Sequence, residues 1–236
     1  MSVLGIVVAV TAEARSLLKQ SIASGELIQL ADGVFLTVSG TGPKRAAIAS
    51  KALLERGASA LLSWGSAGGL TPKLSPGSLI LPKTVIASNR SLYHVDPIWH
   101  DRLCNRLKGH VEFHKDSMVE SPAVVRTSAE KAILFRETGA IGVDMESAAV
   151  GAVAQQERIP FMVVRAVADA VGTTIPESTL NAFDEFGRVS FLRLIEGLVQ
   201  HPTELFTLFR IGRNYRAAQK TLAAVVRLTG NNLLAQ

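Results

Sequence analysis

From Val3 to about Gly172, short apolar runs rich in valine, isoleucine and leucine alternate with segments of helical character. Few folds accept that alternation other than an α/β domain whose sheet is mostly covered by helices. Strands are expected at Val3–Val10, Phe35–Ser39, Ala60–Trp64, Ser78–Leu81, Thr84–Ser88 and Pro160–Ala168. Helices are expected at Ala12–Gln20, Pro43–Glu55, Pro97–Lys108, Ser128–Glu137 and Met145–Glu157, with Asp116–Pro122 as a loop. The predicted architecture is a single α/β domain over residues 1–172, a mixed central β-sheet flanked by helices, followed by a C-terminal helical extension over residues 173–236.

At 236 residues and 47% hydrophobic composition, the chain can bury enough apolar surface to offset its conformational entropy. One cysteine, Cys104, excludes an internal disulfide framework and a multi-cysteine zinc site, and a buried place in a helix suits it. His110 and His114 fall on one face of an extended segment without the geometry of a zinc pair, so no metal is expected. The N-terminal run meets Glu13 and Arg15 too soon for a signal peptide, and the longest uncharged stretch, Gly57 to Pro72, is broken by glycines and serines. A cytoplasmic location follows as the expectation.

Charge is distributed unevenly. Lysine and arginine balance aspartate and glutamate at 18 each through Phe186, whereas residues 187–236 hold 7 basic against 2 acidic residues. The tail reads as two helices, Pro176–Gln200 and Pro202–Leu228. On a helical projection of the second, Leu208, Ile211, Tyr215, Ala218, Leu222, Val225 and Val226 share one side, and Arg210, Arg213, Arg216, Lys220 and Arg227 the other. Such a helix can pack on the domain with its basic side in water, or meet anionic lipid headgroups as a peripheral membrane contact. The arginines lack interleaved aromatics for base stacking, so nucleic acid is not an expected partner.

Chemistry concentrates near strand ends, where α/β sheets place their sites. Gly40-Thr41-Gly42 lies between a strand and a helix, but Arg45 occupies the third glycine position of a dinucleotide fingerprint and the next strand ends without an acid, so no dinucleotide cofactor is expected. Gly65-Ser66-Ala67-Gly68-Gly69 allows close backbone approach and also reads as a tight turn. Glu13 follows the first strand in what should be a first helical turn. Asp144 is expected to cap a helix that Glu146 enters as a first-turn acid. Asp169 ends the most apolar strand of the chain, a setting that raises a carboxyl's pKa and suits a proton donor.

Together these segments resemble the nucleoside phosphorylase and nucleosidase superfamily, especially the methylthioadenosine/S-adenosylhomocysteine nucleosidases. The resemblance is carried by GIVVAVTAEA, SGTGPKRAA, SWGSAGGL with PGSLILP, GVDMESAAVGAV and IPFMVVRAVAD, over roughly residues 3 to 172. The tail is expected to lie outside the nucleosidase pattern. With the VDMESAAV wording, it looks more like hopanoid-associated members, which implies release of adenine from adenosylhopane. The resemblance implies Glu13 as the base that activates water and Asp169 as the acid that protonates N7 of the leaving purine. It implies Glu146 on the ribose hydroxyls, Met145 against the sugar, and Ser66 beside the ribose or the nucleophile.

It also implies a homodimer, a small-molecule nucleoside as ligand and no cofactor. Phosphorylases of the superfamily carry an arginine where Ser63 stands, which favours water as nucleophile, with Arg15 or Arg45 as substitutes and phosphate as co-substrate left open. Ala168 precedes Asp169 where serine is usual, removing a hydrogen-bond partner, and no aromatic near Val124 offers itself to stack on the base. A loop closing over the 5′ group is expected within residues 89–124.

Overall fold

The computed structural model describes residues 3–18, 22–23, 25–176 and 204–230. Its elements are β1 (Leu4–Val8), α1 (Thr11–Ala14), β2 (Leu27–Ala31), β3 (Val34–Val38), α2 (Pro43–Glu55), β4 (Ala60–Gly69), β5 (Leu79–Ile80), β6 (Thr84–Ile86), β7 (Leu92–His94) and α3 (Pro97–Leu107). There follow β8 (Phe113–His114), β9 (Met118–Glu120), α4 (Ser128–Thr138), β10 (Gly142–Asp144), α5 (Ser147–Glu157), β11 (Phe161–Asp169) and a final helix, here α6 (Glu204–Thr229).

All eleven strands join one mixed sheet organised around β4. The first half of β4 lies parallel to β1 and β11, and its end runs antiparallel to β10. Beyond β10 the sheet continues through β9, β6 and β7. Strands β1, β4 and β11 are buried on both faces, which explains their continuous apolar runs. Helices α2, α5 and α6 cover them.

Several boundaries depart from the sequence expectation. The glycine-rich stretch after Trp64 is strand, not turn: β4 continues through Gly69, because its glycines admit neighbours that side chains would exclude. The helix expected over Ala12–Gln20 is the short α1, after which Ser16 and Leu17 donate to carbonyls three residues back and the chain turns. Within the expected loop, Met118 and Val119 are buried as β9, held between β10 and β6. The expected helix Pro176–Gln200 lies outside the described residues. The second tail helix forms as α6, and Ala218, Leu222 and Val225 on its apolar side are fully buried in the main core. Arg210, Arg213, Arg216, Lys220 and Arg227 are exposed.

Candidate active site

The ends of β1, β4, β10 and β11 converge on one pocket of about 210 Å³ that is open to solvent. Glu13, Ser66, Met145, Glu146 and Asp169 all line it. Five residues spread over more than 150 positions of sequence are thus brought together.

Glu13 stands in the first turn of α1, as expected. The carboxylate folds back so that Oε2 accepts the backbone N–H groups of Ala9 at 3.1 Å and Val10 at 3.4 Å. Oε1 accepts both the backbone N–H and the hydroxyl of Ser66, each at 2.7 Å. This close contact between β1 and β4 requires Gly65, where a Cβ would come within 2.6 Å of the Glu13 carboxyl and 2.5 Å of Arg165 Nη1.

Glu146, rather than Asp144, occupies the N-cap position of α5. Asp144 ends β10, where its carboxylate accepts the backbone N–H groups of Glu146 and Ser147 and the Ser147 hydroxyl. Glu146 Oε1 accepts the N–H of Gly42 at 2.8 Å. The Gly40-Thr41-Gly42 turn therefore serves a carboxylate of the pocket, and the left-handed Gly42, φ 98°, starts α2.

Beneath these groups lies Arg165, 1% exposed in the middle of β11. Its Nε is 2.8 Å from Asp144 Oδ2, and Nη2 donates to the hydroxyls of Ser63 at 2.8 Å and Ser147 at 3.2 Å. Nη2 also stands 3.7 Å from Glu146 Oε2. Burial pushes the Glu146 carboxyl well above the usual carboxylate range, while the Arg165 guanidinium pulls it down. Ser63, at the position of the phosphorylase arginine, is buried against Arg165 rather than turned to the pocket. Among the described residues, no arginine or lysine lines the pocket, Arg15 and Arg45 included.

At the opposite end, Asp169 receives an ion pair from Lys131 of α4. Burial raises the Asp169 carboxyl above its ordinary range, and the Lys131 ammonium opposes the rise. The remaining wall is aliphatic, from Ala123, Val124 and Val125 with Ile175. Of the span 89–124 expected to supply the closing loop, Ala123 and Val124 reach the pocket; Ile175 comes from outside it.

Lys131, Arg165 and Ile175 were not anticipated. Arg165 left a signal, a charge inside an otherwise uninterrupted apolar strand, which the interior tolerates only when paired. Lys131 left none, since a lysine in a helix ordinarily faces water.

Comparison with known proteins agrees with this fold. Residues 10–196 match the Phosphorylase superfamily. A 5′-methylthioadenosine/S-adenosylhomocysteine nucleosidase of Buchnera aphidicola subsp. Baizongia pistaciae is 28% identical over 172 residues, covering 65% of this chain and 66% of that protein, just under two thirds of its length. A nucleosidase of the same name from Anoxybacillus flavithermus is 28% identical over 204 residues, 74% of this chain and 79% of that one. The structure of a futalosine hydrolase of Helicobacter pylori superposes with a TM-score of 0.67 at 16% identity, covering 96% of this chain and 97% of that one. The superfamily match ends at residue 196, inside the tail, while the superposition takes in 96% of the chain. The superfamily match runs over most of the chain, from the turn that carries Glu13 past the strand that ends in Asp169, and the protein belongs to the Phosphorylase superfamily.

Proposed function

We propose that the protein hydrolyses the N-glycosidic bond of an adenine nucleoside bearing a large apolar 5′ substituent, of the adenosylhopane type, and releases adenine in hopanoid synthesis at the inner face of the membrane. The observation that carries the reaction class is the placement of Glu13 and Asp169 in one pocket, with Ser66 and Glu146 lining it as well. As the C1′–N9 bond breaks, its electron pair moves onto the purine and positive charge builds on the sugar. Asp169 gives its proton to N7, water forms the new bond to C1′, and Glu13 takes the proton that water loses. Anionic groups near the sugar and a proton donor at the base both act most strongly at the transition state. The two-carboxylate arrangement parallels that of glycosidases. Glu146 takes the ribose hydroxyls, and Met145 packs against the sugar. The absence of a cation among the described lining residues favours water over phosphate as nucleophile.

The lipid side of the proposal rests on α6. Phe206 and Phe209 are 84% and 73% exposed, one turn apart, and are followed by the exposed cations Arg210, Arg213, Arg216 and Lys220. Apolar side chains next to clustered cations suit an interface of anionic phospholipid. No helix among the described residues is long and apolar enough to cross a membrane. Because α6 contributes Leu222 and Val225 to the core, removing the tail would test folding rather than lipid contact. Phe206→Ser with Phe209→Ser is the cleaner change, expected to abolish sedimentation with anionic phospholipid vesicles.

A second reading, a methylthioadenosine/S-adenosylhomocysteine nucleosidase whose basic helix face is simply solvated, is favoured by the sequence relatives. Adenine release measured from adenosylhopane and from methylthioadenosine, each with and without phosphate, separates the two. Turnover of the lipid nucleoside alone, independent of phosphate, supports the first. Turnover of methylthioadenosine alone establishes the second, and dependence on phosphate would assign a phosphorylase.

A further inference from the structure

Lys131 is the only buried residue of α4, a helix otherwise turned to solvent or half-buried, and it is fully enclosed. A lysine is rarely buried without a partner that needs its charge. Here each of the three ammonium hydrogens has an acceptor: Asp169 Oδ2, the Ala170 carbonyl at 2.9 Å and the Thr173 carbonyl at 3.2 Å. The ammonium thus grips one carboxylate oxygen and the turn that follows it. Two residues beyond Thr173, Ile175 lines the pocket.

We propose that Lys131 is the positioning residue of the catalytic acid, fixing Asp169 through Oδ2 so that Oδ1 is presented to the base, and stabilising the carboxylate left when the proton has gone to N7. The inference rests on the nucleosidase reading, in which Asp169 is that acid. Asp169 Oδ1 has no hydrogen-bond partner among the described residues, and the side chain remains partly open to the pocket. When the proton leaves, the Asp169 anion is formed next to an ammonium already in place. No reorganisation is needed at that moment, and water restores the proton after the purine departs.

The charged groups around Asp169 assign the effect to this lysine. Lys131 faces it from α4. Glu13, from α1, and Asp144 and Glu146, from β10 and its connection to α5, share the pocket. Arg165, on the same strand, is engaged with Asp144, Ser63 and Ser147. The neighbouring Glu130 of α4 is turned to the backbone of Arg126 and Thr127. Burial raises the Asp169 carboxyl and Lys131 opposes the rise, so the lysine offsets part of the effect of burial on the acid's proton.

The test is the pH dependence of adenine release by Lys131→Met, Lys131→Gln and Asp169→Asn. Without the ammonium, the basic limb of the kcat profile should move upward by about 1 to 3 pH units, the range an opposite charge at this distance exerts on a carboxyl. The kcat at neutral pH should fall about 100-fold, at the low end of general-acid contributions. Lys131→Gln keeps an uncharged donor and should shift the limb similarly while retaining more of the rate. Asp169→Asn should be inactive. A basic limb that stays in place in folded lysine variants, with Asp169→Asn inactive, overturns the inference and leaves the nucleosidase reading standing. Full activity of Asp169→Asn overturns the acid assignment and the inference with it. Failure of both lysine variants to fold also overturns the proposal, because the cation would then serve the fold rather than the acid.

Discussion

The two ends of the pocket hold their carboxylates by different means. At the Glu13 end, four donors converge on one carboxylate, and none is a charged side chain: the amides of Ala9 and Val10, and the amide and hydroxyl of Ser66. At the Asp169 end, one oxygen is gripped by one buried lysine from a distant helix. A carboxylate held by several neutral donors loses little when one is removed. A carboxylate held by a single cation loses its partner altogether.

That difference orders the expected effects. Glu13→Gln keeps the size of the side chain but cannot accept a proton from water, and its amide turns a donor toward amides that need an acceptor. Adenine release should drop about 1,000-fold, with a single cooperative unfolding transition, at a lowered midpoint, in a scanning fluorescence experiment; a folded variant retaining a tenth of the activity would remove Glu13 as base. Arg165→Met tests the charge beneath this end. With the guanidinium gone, Asp144 and Glu146 are left buried and uncompensated, and the loss should be about 3 to 5 kcal/mol in urea denaturation. Because burial already raises Glu146, the deficit should shrink as pH falls and that carboxyl takes up a proton. Since burial raises that carboxyl to about 8, a deficit that is constant from pH 10 to 6 would mean the arginine acts by packing alone. Ser66→Ala removes one of the four donors to Glu13, and about a tenfold loss of kcat is expected, in line with one hydrogen bond to a charged group. A loss as large as that of Glu13→Gln would show that the donors do not share the load.

The same difference explains what could be read in the sequence. Ala9 and Val10 lie within four residues of Glu13, and Ser66 follows a glycine on the neighbouring strand, so that end is written in local motifs and strand order. Of the five lining residues, the carboxylates Glu13, Glu146 and Asp169 were legible from their places near strand ends, whereas Ser66 and Met145 were reached through the family resemblance. Lys131 is 38 positions from Asp169, and only the packing of α4 across the end of β11 brings them together. Its burial is a tertiary outcome that no periodicity announces. The glycines carried two readings, close backbone approach and a tight turn, and the structure has the first: Gly65, Gly68 and Gly69 allow β4 to run between Glu13, Val143 and Asp169. Short strands such as β9 and β10 fell below any window in which alternation can be counted.

A third carboxylate, which belongs to neither end, gives the smallest and most specific effect. Glu120 closes β9, is buried, and accepts the N–H of Ala149 at 2.8 Å. Burial pushes its carboxyl up to about 7 from an ordinary value of 4.5, with the Ala149 hydrogen bond opposing and the nearby Asp144 adding to the rise. Between those two values the folded chain holds a proton that the unfolded chain has released. Stability from this group is therefore complete below about pH 4.5 and is lost as pH rises through 7. The change should amount to about 2 to 3 kcal/mol between pH 5 and pH 8, opposite in sign to that of a carboxylate held ionised by the fold. Glu120→Gln should flatten that part of the stability curve in urea titrations while leaving the basic limb of kcat, which the proposed mechanism assigns to Asp169, where it was. If the slope survives the substitution, the proton resides on Glu146 or Asp169 instead. The two ends of the pocket would then be linked through stability as well as through the reaction.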